Sequence, residues 1–106
     1  MEKKKVYIGG KITGEDYQQC LRKFNATEEI LSGIGFEVTN PMSIIPKDTP
    51  WEKAMELLRP HLLNADYLFL LPDWKLSKGT CIEVELAEAY GIETVLYSQI
   101  TEMQWS

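Results

Sequence analysis

Metal-binding side chains are scarce in this sequence, which has one histidine, His61, and two cysteines, Cys20 and Cys81. None has a Cys or His companion at ligand spacing, which argues against a zinc site, and a reducing compartment would keep both thiols free. Cys81 also lacks a neighbouring histidine to activate it, so both cysteines are read as packing residues. Basic charge is in short supply as well: 11 Lys and Arg stand against 16 Asp and Glu, a net charge of −5. The only basic run, Lys3-Lys4-Lys5, directly precedes a predicted strand, so neither a nucleic acid polymer nor an anionic membrane surface is an expected partner. No apolar stretch approaches the roughly 20 residues of a membrane span, and the amino terminus lacks the apolar core of a signal peptide. A cytoplasmic location is therefore expected.

What is present is an alternation of strand and helix patterns. A chain of 106 residues, 44% hydrophobic, can bury one modest core, so a single domain over residues 1–106 is expected. Residues 4–9 read as a first strand ending in Gly9-Gly10, and apolar residues at helical spacing follow from 16 to 33. A short strand is predicted over 36–39, closed by Asn40-Pro41. The stretch to Pro50 holds three prolines and reads as a loop long enough to cover a site. A helix over 51–63 contains Pro60, expected to kink or interrupt it. Residues 67–71 are apolar on both faces, as in a central parallel strand. An alanine-rich helix over about 80–90, a last strand over 94–97 and a short tail through Trp105 complete the chain. This alternation implies right-handed crossovers and a flavodoxin-like three-layer domain, its four-stranded sheet mainly parallel in the order 2-1-3-4. Strands one and three are then neighbours whose connections leave in opposite directions, which opens a crevice at their carboxyl ends.

Two segments meet at that crevice. The first, Tyr7-Ile8-Gly9-Gly10-Lys11-Ile12-Thr13-Gly14, lacks the endings of a Walker loop or a dinucleotide fingerprint, and it lacks the acidic residues of a receiver-domain metal site. It offers free backbone donors and one lysine, suited to a sugar hydroxyl or a single phosphate, or it is an ordinary tight turn. The second segment carries Asp73 and Trp74, then Ser77-Lys78-Gly79-Thr80-Cys81-Ile82-Glu83. Glu83 falls in the first turn of the predicted helix, where it can serve as nucleophile, general base or cap. Thr80 and Glu83 also match the spacing of a capping box. Asp73 and Trp74 can hold a heterocycle or form a turn with a packed aromatic.

Together these segments, with Asn64-Ala65-Asp66 leading into an apolar strand and Ala87 four residues after Glu83, resemble the nucleoside 2-deoxyribosyltransferase superfamily. The resemblance covers most of the chain. It is closest to small phage and bacterial members known only by a domain-of-unknown-function label, and extends to the deoxynucleoside monophosphate N-glycosidase branch. It implies a nucleoside or nucleotide as small-molecule partner, no cofactor, no metal, and action on N-glycosidic bonds as hydrolase or transferase. Glu83 matches the superfamily's nucleophile and Tyr7 an active-site tyrosine. Gly10 and Lys11, beside Gly9, fall in the sugar or phosphate loop. Ser77 matches the glycosidase branch's serine, with Gly79 in the same segment. An aspartate expected eight residues before Asp66 is Leu58 here, which points to the alternative of a catalytically silent nucleotide-binding module, while Asp73 stands as a substitute acid. A small sheet with leucine-rich helices, and Trp51 and Trp105 in surface segments, suggests a homo-oligomer.

Overall fold

The computed structural model describes residues 3–99; Trp105 and the rest of the tail lie outside them. The central sheet is four-stranded, all parallel, in the order β2-β1-β3-β4, with β1 Lys5–Gly9, β2 Glu37–Thr39, β3 Tyr67–Leu70 and β4 Glu93–Leu96. The expected topology is the observed one.

Alternation along the two central strands builds the three layers. Val6, Ile8 and Phe69 pack with Cys20, Phe24 and Leu31 of α1, Tyr17–Ile34. Tyr7, Leu68 and Leu70 turn to the opposite face and meet Leu58 and Leu62 of α3, Trp51–Leu63, and Ala87 of α4, Lys78–Ala89. The register pairs Tyr7 with Leu68 and Ile8 with Phe69, so β1 and β3 feed matching layers. A strand covered on both faces has no polar side to show, which is why residues 67–70 are uniformly apolar.

Helix ends follow local chemistry. Asp16 caps α1 by accepting the Gln19 amide, and Gly35, at φ 117°, closes it by donating to the Leu31 and Ser32 carbonyls. The proline-containing stretch is not all loop. Asn40 accepts the Met42 amide and starts a four-residue helix, α2 Pro41–Ile44, in which proline at the first position loses a donor that had no partner anyway. Pro60 does not interrupt α3, which runs on to Leu63. Because Pro60 lies in the last turns, the ladder loses a single bond to the exposed Glu56 carbonyl. Among the described residues no helix is long and apolar enough to cross a membrane.

Candidate functional site

At the carboxyl ends of β1 and β3 the two predicted segments do meet, through a hydrogen bond that no local pattern encodes. Tyr7 is fully buried on the α3/α4 face of the sheet, and its hydroxyl donates to Glu83 Oε2 at 2.5 Å. Glu83, 6% exposed, reaches it from the second turn of α4. The helix begins earlier than its alanine-rich pattern suggests. Ser77 is the cap, its hydroxyl accepting the Thr80 amide at 3.1 Å. The capping-box reading of Thr80 and Glu83 is thereby corrected. Thr80 donates its hydroxyl to the Gly10 carbonyl at 3.1 Å and so fastens α4 to the loop after β1, which leaves Glu83 free to face Tyr7.

These residues border a cavity of about 120 Å³. Tyr7, Gly10, Ser77, Gly79 and Glu83 line it on the sheet and α4 side, and Leu58 lines it from α3. The proline-rich loop closes another side through Ile45, Pro46, Lys47, Asp48 and Thr49, as expected of a segment that covers a site. In this loop Asp48 adopts the left-handed backbone conformation at φ 68°. The space is smaller than the ~300–1,000 Å³ of clefts that bury a drug-sized ligand, but it is open on one side and shares Thr13, Trp51, Ser77 and Gly79 with an adjoining cleft.

Gly9 and Gly10 of the first segment serve packing. A Cβ on Gly9 would stand 2.9 Å from Thr80 Cγ2, and one on Gly10 would stand 2.7 Å from Leu71 Cδ1. Close approach here is between protein layers: β1 must meet β3 and α4 with no side chain between them. Gly79 does the same for α4 against α3, where a Cβ would lie 2.9 Å from Met55 Sδ.

Four predicted site residues are not brought to the cavity: Gly9, which packs within β1, and Asp73, Trp74 and Lys11. Asp73 is held by Lys23, Nζ to Oδ2 at 2.6 Å, and accepts the Lys11 amide on Oδ1 at 3.1 Å. It therefore braces the loop after β1 and does not stand in as an acid beside Glu83. Lys23, whose Nζ also donates to the Lys11 carbonyl at 2.8 Å, was not foreseen, since a helical lysine carries no sign of its partner. Trp74 packs against the Tyr7 side of the core and borders a separate depression with Leu96 and Tyr97. Lys11 faces a cleft adjoining the cavity, which it shares with Thr13, Trp51, Ser77, Lys78 and Gly79. Trp51, overlooked as a site residue, lines both spaces. Cys20 is buried and Cys81 half-buried, both as free thiols, and burial pushes the Cys20 thiol up.

Burial sets the electrostatics. Removal from water lifts the Glu83 carboxyl to about 7, with the Tyr7 hydrogen bond pulling in the opposite direction. Burial first, then the adjacent Glu83 charge and hydrogen bond, raises Tyr7 well above the usual phenol range, so the proton between them rests on the tyrosine. Among the described residues no buried side-chain nitrogen or oxygen lacks a partner, and no group of acidic, His or Cys residues is placed to hold a metal ion.

The buried carboxylate and phenol thus pair near the topological switch point of a parallel α/β domain. The chain belongs to the family described as Domain of unknown function (DUF4406), which matches residues 4–97. No curated protein matches the sequence.

Proposed function

We propose that this protein acts on N-glycosidic bonds of deoxynucleosides or their 5′-monophosphates, as a hydrolase or deoxyribosyltransferase, with Glu83 as the nucleophile. The resemblance in its motifs to the nucleoside 2-deoxyribosyltransferase superfamily suggests the chemistry. One observation carries the reading: Glu83 is buried beside a cavity that opens to solvent, and Tyr7 engages only one of its carboxylate oxygens. The other oxygen remains for a ligand. Cleavage builds oxocarbenium character at the anomeric carbon, and a carboxylate at that point traps it covalently. The glycosyl ester then yields to water or to a second base, so two displacements retain configuration. Tyr7, donating to Oε2, fixes the rotamer of the attacking group. Gly10, Ser77 and Gly79 surround the sugar, and Lys11 in the adjoining cleft receives a 5′-phosphate. The exposed apolar side chains Leu76 and Tyr90 support pairing with a second copy of the chain.

Leu58 favours a second reading, a module that binds a nucleotide and leaves it intact. It is 5% exposed and lines the cavity with hydrocarbon where the superfamily pattern has an acid. Base release from a panel of deoxynucleosides and monophosphates, followed by chromatography, separates the two readings. Wild type should liberate base, and Glu83→Gln, whose amide oxygen still accepts from Tyr7, should fold and liberate none. Calorimetric binding without any release would select the silent module, and equal release by both proteins would reject Glu83 as nucleophile.

A further inference from the structure

Resting on the N-glycosidic reading, we infer that the substrates are N-glycosides of cationic heteroaromatic bases, such as N7-alkylated purines or N-glycosylated pyridinium rings. The leaving group sets the requirement. When the glycosidic bond breaks, its electron pair goes to the base nitrogen, so a neutral base departs as an anion unless an acid protonates it. Such an acid is typically worth 10²–10⁴ in rate.

No acid is fixed in place for this step: the Tyr17 phenol also borders the cavity, but among the described residues it makes no hydrogen bond that would orient its proton. Tyr7 has its hydroxyl proton committed to Glu83 and is fully buried. Glu83 must itself be ionised to attack. The wall from α3 is Trp51, Ala54, Met55 and Leu58, and none of them is an acid: the indole N–H of Trp51 donates a hydrogen bond but does not give up its proton. Asp73, the nearest substitute in sequence, is tied to Lys23 and the Lys11 amide. Lys47 and Asp48 are exposed on the covering loop, where water competes for any base beside them.

What the cavity does offer suits a cation. Besides the Glu83 carboxylate and its partner Tyr7, the lining includes the rings of Trp51 and Tyr17, and each of these two already has an ammonium over it. Lys78 Nζ lies 4.5 Å from the Trp51 centroid and Lys47 Nζ 5.4 Å from that of Tyr17. Both lysines are exposed, so a flat cationic ring replaces an ammonium that is free to swing into water. The net charge of −5 attracts the same ligand.

With such a substrate the steps balance without an acid. A Glu83 oxygen bonds to the anomeric carbon as the carbon–nitrogen bond breaks, and the released pair cancels the ring's positive charge, so the base leaves neutral. Water then adds to the same carbon, the ester bond breaks, its electron pair returns to the carboxylate, and the water proton passes to solvent.

A matched pair tests this on the intact protein: N7-methyl-2′-deoxyguanosine against 2′-deoxyguanosine, with spontaneous depurination subtracted. The expected kcat/KM for the methylated substrate exceeds that of the neutral one by at least about 100-fold, the low end of what an acid would supply. Glu83→Gln should abolish the release. Leu58→Asp, by restoring an acid to the α3 wall, should raise guanine release; if it does not fold, the wild-type pair decides alone. Comparable rates on both substrates, or release confined to neutral nucleosides, overturn the inference and leave the N-glycosidic reading standing. No base from either substrate, nor from the wider panel, overturns both.

Discussion

Glu83 combines two demands that conflict. A nucleophile must be ionised, and burial opposes ionisation. Because its folded value, about 7, lies above the ordinary 4.5, the folded state holds this proton more tightly than the unfolded chain. The resulting stability is fully present below about 4.5 and is lost as the pH rises through about 7. At about 1.4 kcal/mol per pH unit the loss is on the order of 3 kcal/mol. Glutamine carries no such cost. Glu83→Gln should therefore match wild type in urea denaturation at pH 4.5 and exceed it by roughly 2–3 kcal/mol at pH 8, while wild-type turnover climbs over the same interval. A constant difference between the two proteins across that range would show that Glu83 does not titrate as described. The sequence disclosed Glu83 and Tyr7 as candidates, but not their pairing. Thr80 and Glu83 fit a capping box as well as a site, and only the face onto which the register turns Tyr7 separates the two.

Among the elements, strands and long helices were legible because burial repeats with a fixed period. The all-apolar β3 reads as central, and the glycines at 33 and 35 mark the end of α1, which runs through the first and stops at the second. The short α2 was hidden by its prolines, although Asn40 before Pro41 is a helix-start signal. The brace of Lys23, Asp73 and the Lys11 amide was illegible, since it joins residues 50 and 62 positions apart. This brace fixes the backbone on either side of Lys11 and leaves its side chain to the cleft bordered by Ser77 and Lys78. A 5′-phosphate there gains charge-assisted hydrogen bonds of roughly 1.5–3 kcal/mol each. Calorimetry should show a monophosphate bound at least tenfold more tightly than its nucleoside, and Lys11→Ala should remove most of that preference with nucleoside affinity nearly unchanged. Equal wild-type affinities would make Lys11 a plain surface lysine.

At the scale of the molecule, the strand order does the organising. The order 2-1-3-4 sends the β1 and β3 connections to opposite faces, so the glycine loop and the Ser77–Glu83 turn border one crevice although 70 residues separate Gly10 from Thr80. The small fold leaves apolar surface uncovered: Leu76 is 72% and Tyr90 61% exposed. Light scattering at high concentration should accordingly return a multiple of the 12.2 kDa chain mass, and the mass of one chain would speak against self-association. With Glu83 as nucleophile, the sugar passes through a covalent ester on its carboxylate. Rapid quenching during turnover of N7-methyl-2′-deoxyguanosine, then peptide mass mapping, looks for that ester directly. A deoxyribosyl adduct is expected on the peptide containing Glu83 and absent from Glu83→Gln; an adduct on any other residue, or base release by the variant at the wild-type rate, would rule out Glu83 as the nucleophile.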